Sequence, residues 1–223
     1  MKIRNGYVSN SSSSSFLIIY HDFNDFNQFD KFEGYNILKK DIDETMEKKA
    51  KNHIQEIIET NFYHQYNSFI NFQHDFDTDD FYDLMEKSEV KDKKYQEISK
   101  EIAIMGTFFQ NTIAEKNAEI YHKLFLGSGN VNLLSKEEKK IYYECEKNFS
   151  DFYYETNFYD KMKKVAKNLA EKIFKGLKKK GYQIKSITYE DDTRAGAMME
   201  SGFMPFISKN PERNYEIYIT NEH

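Results

Sequence analysis

One cysteine, Cys145, is the only thiol in this 223-residue chain. That excludes an internal disulfide and points to a reducing compartment. Proline occurs only twice and tryptophan not at all. Scarce proline beside abundant aromatics argues against a disordered chain. Glycine is limited to nine residues, and none falls in a Gly-x-x-x-x-Gly-Lys-[Ser/Thr] arrangement, so a nucleotide-cradling P-loop is absent. No apolar run approaches the roughly 20 residues of a membrane span, and the N-terminal apolar stretch is too short for a secretory signal. Positive charge is not in excess either. The formal net charge is -5, so the chain as a whole does not read as a nucleic-acid binder. A cytoplasmic protein that does not enter the membrane is the resulting expectation.

What is present is aromatic and helical. Seventeen tyrosines and nineteen phenylalanines are spread along the chain. Apolar residues at three-to-four spacing predict helices over 41–60, 95–125, 135–149 and 160–180. Asp41 with Glu44, and Ser135 with Glu138, have the spacing of capping boxes. Gly127-Ser128-Gly129 and Gly181 read as stops. Both ends alternate with period two. Residues 2–8, 16–20, 183–190 and 215–220 therefore read as strands, with a further short one at 204–207. The expected fold is α+β. A sheet is built from N- and C-terminal strands, and a largely helical middle (about 41–180) is packed on it or inserted. The chain reads as a single domain, 1–223, with a possible helical insertion over 41–160.

Five consecutive serines, Ser11 to Ser15, lie between the apolar runs Gly6-Tyr7-Val8 and Phe16-Leu17-Ile18-Ile19-Tyr20. The opening, Met-Lys-Ile-Arg-Asn-Gly-Tyr-Val-Ser-Asn followed by the serines and Phe16, resembles a signature (MKIR-x-G-[FY]-V-S-N-S-S-S-S-S-F) of uncharacterised phage and bacterial proteins. A looser similarity covers Glu190-Asp191-Asp192, Met199 to Gly202 and Ile219 to His223. The resemblance implies a phage or mobile-element setting and no particular chemistry.

Four groups of residues are candidates for function. Successive hydroxyls and N–H groups of Ser11, Ser12, Ser13, Ser14 and Ser15 could hold an anion or be recognised by another protein. Glu200 and His223 would join them if the two ends of the chain meet. The ordinary alternative is a loop whose hydroxyls bond to backbone, and no residue is assigned as catalytic. Asp75, Asp77, Asp79, Asp83 and Glu86 fall at positions 1, 3, 5, 9 and 12 of an EF-hand calcium loop, with Asp80 where glycine makes the sharp turn. The alternative there is an acidic start to a short helix over 80–87. No other cofactor is expected. Residues 161–185 hold ten lysines and one acid, Glu171. Of these, Lys163, Lys164, Lys167, Lys175 and Lys178 could track a phosphate backbone, or simply face water. Finally, the surplus of Tyr and Phe suits protein interfaces.

The function expected from the sequence is a phage or mobile-element interaction protein. It would bind and modulate a host protein, such as a defence or nucleic-acid-handling system, and the acidic segment 22–86 would be its contact. One alternative is a ligand-binding or enzymatic domain with an anion site at the serines. Another is a nucleic-acid module using the basic segment 161–185.

Overall fold

The computed structural model describes residues 13–20, 47–72, 79–155, 157–190 and 215–222. Strand β1 (Ser13–Tyr20) is followed by six helices: α1 (Glu47–Ile70), α2 (Asp79–Ser88), α3 (Lys93–Lys116), α4 (Ala118–Leu126), α5 (Lys136–Glu155) and α6 (Phe158–Lys179). A 3-10 turn, Val131–Leu133, links α4 to α5. Strands β2 (Gln183–Glu190) and β3 (Tyr215–Glu222) complete the order.

The chain divides into two compact units. The first holds the described residues within 1–57, 84–90 and 170–223, and it contains all three strands. They form one antiparallel ladder in the order β2-β1-β3, with Phe16 opposite Ile187 on one side and Ile219 on the other. Leu17, Ile19 and Ile184 are buried with Ala50, Ile54, Ile57, Leu84, Ile173, Phe174 and Leu177. Lys51 lies with its Nζ 5.1 Å from the centre of the Phe174 ring and pairs with Glu47 at 2.8 Å. Two polar side chains among its described residues are buried: His53, only 2% exposed, and Ser88.

The second unit, residues 58–83 and 91–169, is helix and turn alone among its described residues. Its core is aromatic. Tyr66 sits between Phe149, 4.7 Å away and stacked, and Tyr153, 4.0 Å away. Phe109 stacks on Phe149 at 5.0 Å. Tyr95 packs against Phe62 at 5.0 Å and Phe81 at 4.6 Å. Its hydroxyl donates to Asn61 Oδ1 at 2.7 Å and accepts from Gln65 Nε2 at 2.9 Å, which ties α3 to α1 through buried polar side chains. Burial pushes the Tyr95 phenol well above its usual range.

These observations overturn the α+β expectation. The fold is mainly helical, because helices hold most of the described residues and nearly all of the core. The physical reason is area. One ladder of three eight-residue strands offers too little face to cover the apolar stripes of six helices, so helices bury those stripes on each other. The expected strands at 2–8 and 204–207 lie outside the described residues.

Local signals explain the helix limits. Ser135 and Glu138 form the expected capping box. Glu138 Oε2 accepts from the Ser135 N–H at 2.7 Å, and Ser135 Oγ accepts from the Glu138 N–H at 3.2 Å. The single helix expected over 95–125 is broken at Asn117. Its backbone leaves the helix, and its side chain accepts from the N–H groups of Glu119 and Ile120, starting α4 afresh. The first helix runs ten residues beyond Thr60, to Ile70. Buried Ile54, Ile58, Phe62, Tyr66 and Ile70 continue one face past that point.

Candidate interaction surfaces

Of the residues that the sequence offers as a site, Ser11, Ser12, Glu200 and His223 lie outside the described residues. Ser13, Ser14 and Ser15 are in strand β1, paired with residues 188–190 and 220–222. The second half of the serine tract is thus ladder backbone and not a loop. In the acidic motif, Asp75 and Asp77 fall outside the described residues. Asp79, Asp83 and Glu86 are all helical, in α2. A calcium loop needs irregular backbone at position 5 to turn ligands inward, and here helix begins at that position, Asp79. The acidic helix start is the reading that fits. Among the described residues no group of three or more His, Cys, Asp or Glu side chains could hold a metal ion.

The five lysines are all exposed on α6. Its buried side is Met162, Val165, Ala166, Leu169, Ala170, Ile173, Phe174 and Leu177, so the lysines take the remaining side. Several are engaged. Lys163 Nζ lies 4.5 Å from the centre of the Tyr159 ring, and Lys175 reaches Glu171 at 3.5 Å. Contact with the Tyr159 hydroxyl raises the Lys163 ammonium above its ordinary value. Lys164 and Lys167 belong to the helical unit and Lys175 and Lys178 to the other.

Two surfaces of the helical unit were not singled out by sequence. The first is the outer side of α3. The inner side carries Tyr95, Ile98, Ile102, Gly106, Phe109 and Ile113. Gly106 is there because a Cβ would stand 2.1 Å from Cγ of the Phe69 ring. That contact, and Gln110 Nε2 donating to the Phe69 carbonyl at 3.0 Å, fix α3 against α1. The rotation puts Ile104 and Phe108, one turn apart, in solvent: they are 69% and 72% exposed. Around them Ala103, Thr107 and Asn111 are also exposed. No charged residue occurs from Ile102 to Ala114. Charges resume at both ends: Glu101 pairs with Lys161 at 2.5 Å, and Lys116 pairs with Glu144 at 2.9 Å. The same charge-free run, with apolar residues off the main stripe, was the signal available in the sequence.

The second surface surrounds the turn from α5 to α6. Tyr63 and Tyr154 are about half exposed, as is Phe152. Tyr154 is held by Tyr153 at 4.8 Å, Tyr159 at 5.7 Å and Tyr66 at 6.1 Å. Partial burial, and then the neighbouring phenols of Tyr63 and Tyr159, raise the Tyr154 phenol above its ordinary value.

Among the described residues no helix is long and apolar enough to cross a membrane. No family model, curated protein or solved structure matches this chain.

Proposed function

We propose that this chain is a non-enzymatic interaction protein that engages a partner protein through the outer side of α3, in the cytoplasm of a bacterial host. The observation that carries this reading is the charge-free, solvent-facing middle of α3, with Ile104 and Phe108 at its centre. Charged residues make up 31% of the chain, so a thirteen-residue helical stretch with none is a departure on an exposed face. An apolar centre with charges gathered at the margins has the anatomy of a protein interface. Adjacent Ile and Phe side chains at i, i+4 form the kind of anchor pair that a groove or helix of a partner covers. The phage or mobile-element setting rests on the N-terminal signature. This contact replaces the acidic segment 22–86, of which 22–46 and 73–78 lie outside the described residues.

The test is a paired substitution, Ile104→Asp with Phe108→Asp. Both side chains face solvent, so the unfolding free energy is expected to stay within about 1 kcal/mol of the unsubstituted protein. The partner captured from host lysate by the unsubstituted protein is expected to be lost. A substituted protein that keeps its stability and its partner would remove α3 from the interface.

A further inference from the structure

The tyrosine cluster at the α5–α6 turn lies on residues separate from the α3 face and has different chemistry. It offers aromatic rings that are at once exposed and held in place. Tyr154 is 48% exposed while three other rings brace it. Tyr63, 46% exposed, comes from α1, one turn before Tyr66, whose ring packs on Tyr154 at 6.1 Å. A ring that is fixed before a ligand arrives loses little side-chain entropy on binding. Lysines follow on the next turns of α6. Lys163 lies over Tyr159, and Lys164 and Lys167 are exposed one turn apart.

Anchored aromatic faces, with exposed ammonium groups on the next turns of the same unit, match a polymer of flat rings joined by phosphates. We propose that Tyr63 and Tyr154, with Lys164 and Lys167, form a binding site for single-stranded nucleic acid. Bases stack on the tyrosines and the lysines meet the intervening phosphates. A duplex keeps its base faces covered and can use only the lysines, so single strands are preferred. An acidic protein segment would use the lysines and leave the rings without a planar partner. Glu59 and Asp160 lie close to Lys163 and offset part of the local charge. The contact is therefore salt-sensitive, and it is tolerant of sequence because no base edge is read.

Fluorescence anisotropy tests this with a labelled oligothymidylate, the matching duplex and a labelled polyglutamate peptide, at about 50 and 200 mM salt. The oligothymidylate is expected to bind more tightly than either competitor. Tyr63→Ala with Tyr154→Ala is expected to weaken it by roughly tenfold or more, since each stacked base contributes on the order of 1–3 kcal/mol. Tyr154→Phe keeps the ring and is expected to keep the affinity, which separates lost stacking from lost folding. Lys164→Glu with Lys167→Glu is expected to weaken binding and flatten its salt dependence. The Ile104→Asp, Phe108→Asp protein is expected to bind the oligonucleotide normally, so the two surfaces fail or succeed separately. Three results would each overturn the proposal: no saturable binding at low salt, equal binding of duplex or peptide, or full binding by the double alanine protein.

Discussion

Replacing Gly129 by alanine is expected to destabilise the helical unit by about 2–5 kcal/mol. Gly129 has φ +77°, a left-handed conformation that costs an L side chain roughly 1–2 kcal/mol. A Cβ there would also stand 2.0 Å from the carbonyl oxygen of Asn71. That neighbour is backbone, so the clash cannot be relieved by a change of rotamer. It sits where α1 ends, at Asn71 and Phe72, and Gly129 N–H donates to the Leu124 carbonyl at 2.8 Å to close α4. The substitution therefore strains two helix ends at once. Ser128, the residue before, also has positive φ, +48°. Ser128→Gly is expected to change stability by less than about 1 kcal/mol, since glycine accepts this conformation without strain. Chemical denaturation of both variants checks the pair. A Gly129→Ala protein as stable as the original would mean that the α1 end does not approach this turn.

The second large effect is one of pH, and it centres on His53. Burial pushes this imidazole from 6.5 down to about 3. It stays neutral inside the fold while the unfolded chain takes up a proton near pH 6.5. Between those two values the unfolded state binds more protons, so stability is complete above about pH 6.5 and falls as the pH falls towards 3. The slope from one such group approaches about 1.4 kcal/mol per pH unit. His64, half-buried, is shifted in the same direction by its own burial. The glutamates held low by lysine partners, Glu47, Glu89, Glu138 and Glu144, add to the loss only at lower pH, near the carboxylate range. The loss between pH 6.5 and about 5 therefore comes from histidine, while Glu146, raised by its own burial, acts in the opposite sense as the pH falls through its range. Urea midpoints across that interval are expected to fall for the unsubstituted protein and to fall much less for His53→Leu. Parallel slopes for the two proteins would mean that His53 is protonated in the native state.

The sequence disclosed those parts of the fold that depend on neighbours along the chain. The Ser135–Glu138 capping box and the lysine-rich solvent side of α6 follow from spacing alone, because i, i+3 and i, i+4 residues meet whatever the tertiary context. The continuation of α1 to Ile70 did not, because polar Asn61 and Gln65 interrupt the apolar pattern. Their burial is understandable only once Tyr95, more than thirty residues away, supplies hydrogen bonds. The break at Asn117 was hidden by the apolar stripe that resumes at Ile120 on a new helix. The α+β reading gave the period-two ends too much weight in the core, since alternation reports a strand and not how much of the protein rests on it. The interaction surfaces were least legible. Whether Ile104 and Phe108 face in or out depends on the Gly106–Phe69 contact, and the braced Tyr154 depends on rings from α1, α5 and α6.

Site-specific photo-crosslinking in host lysate tests the α3 interface most directly. A crosslinking residue replaces Phe108, and a control protein carries it at exposed Lys140 on α5. A discrete covalent adduct with a partner protein at position 108, absent at position 140, is the predicted result. A complex captured without any adduct at 108, or with equal adducts at both positions, would contradict the assignment of the α3 face as the interface.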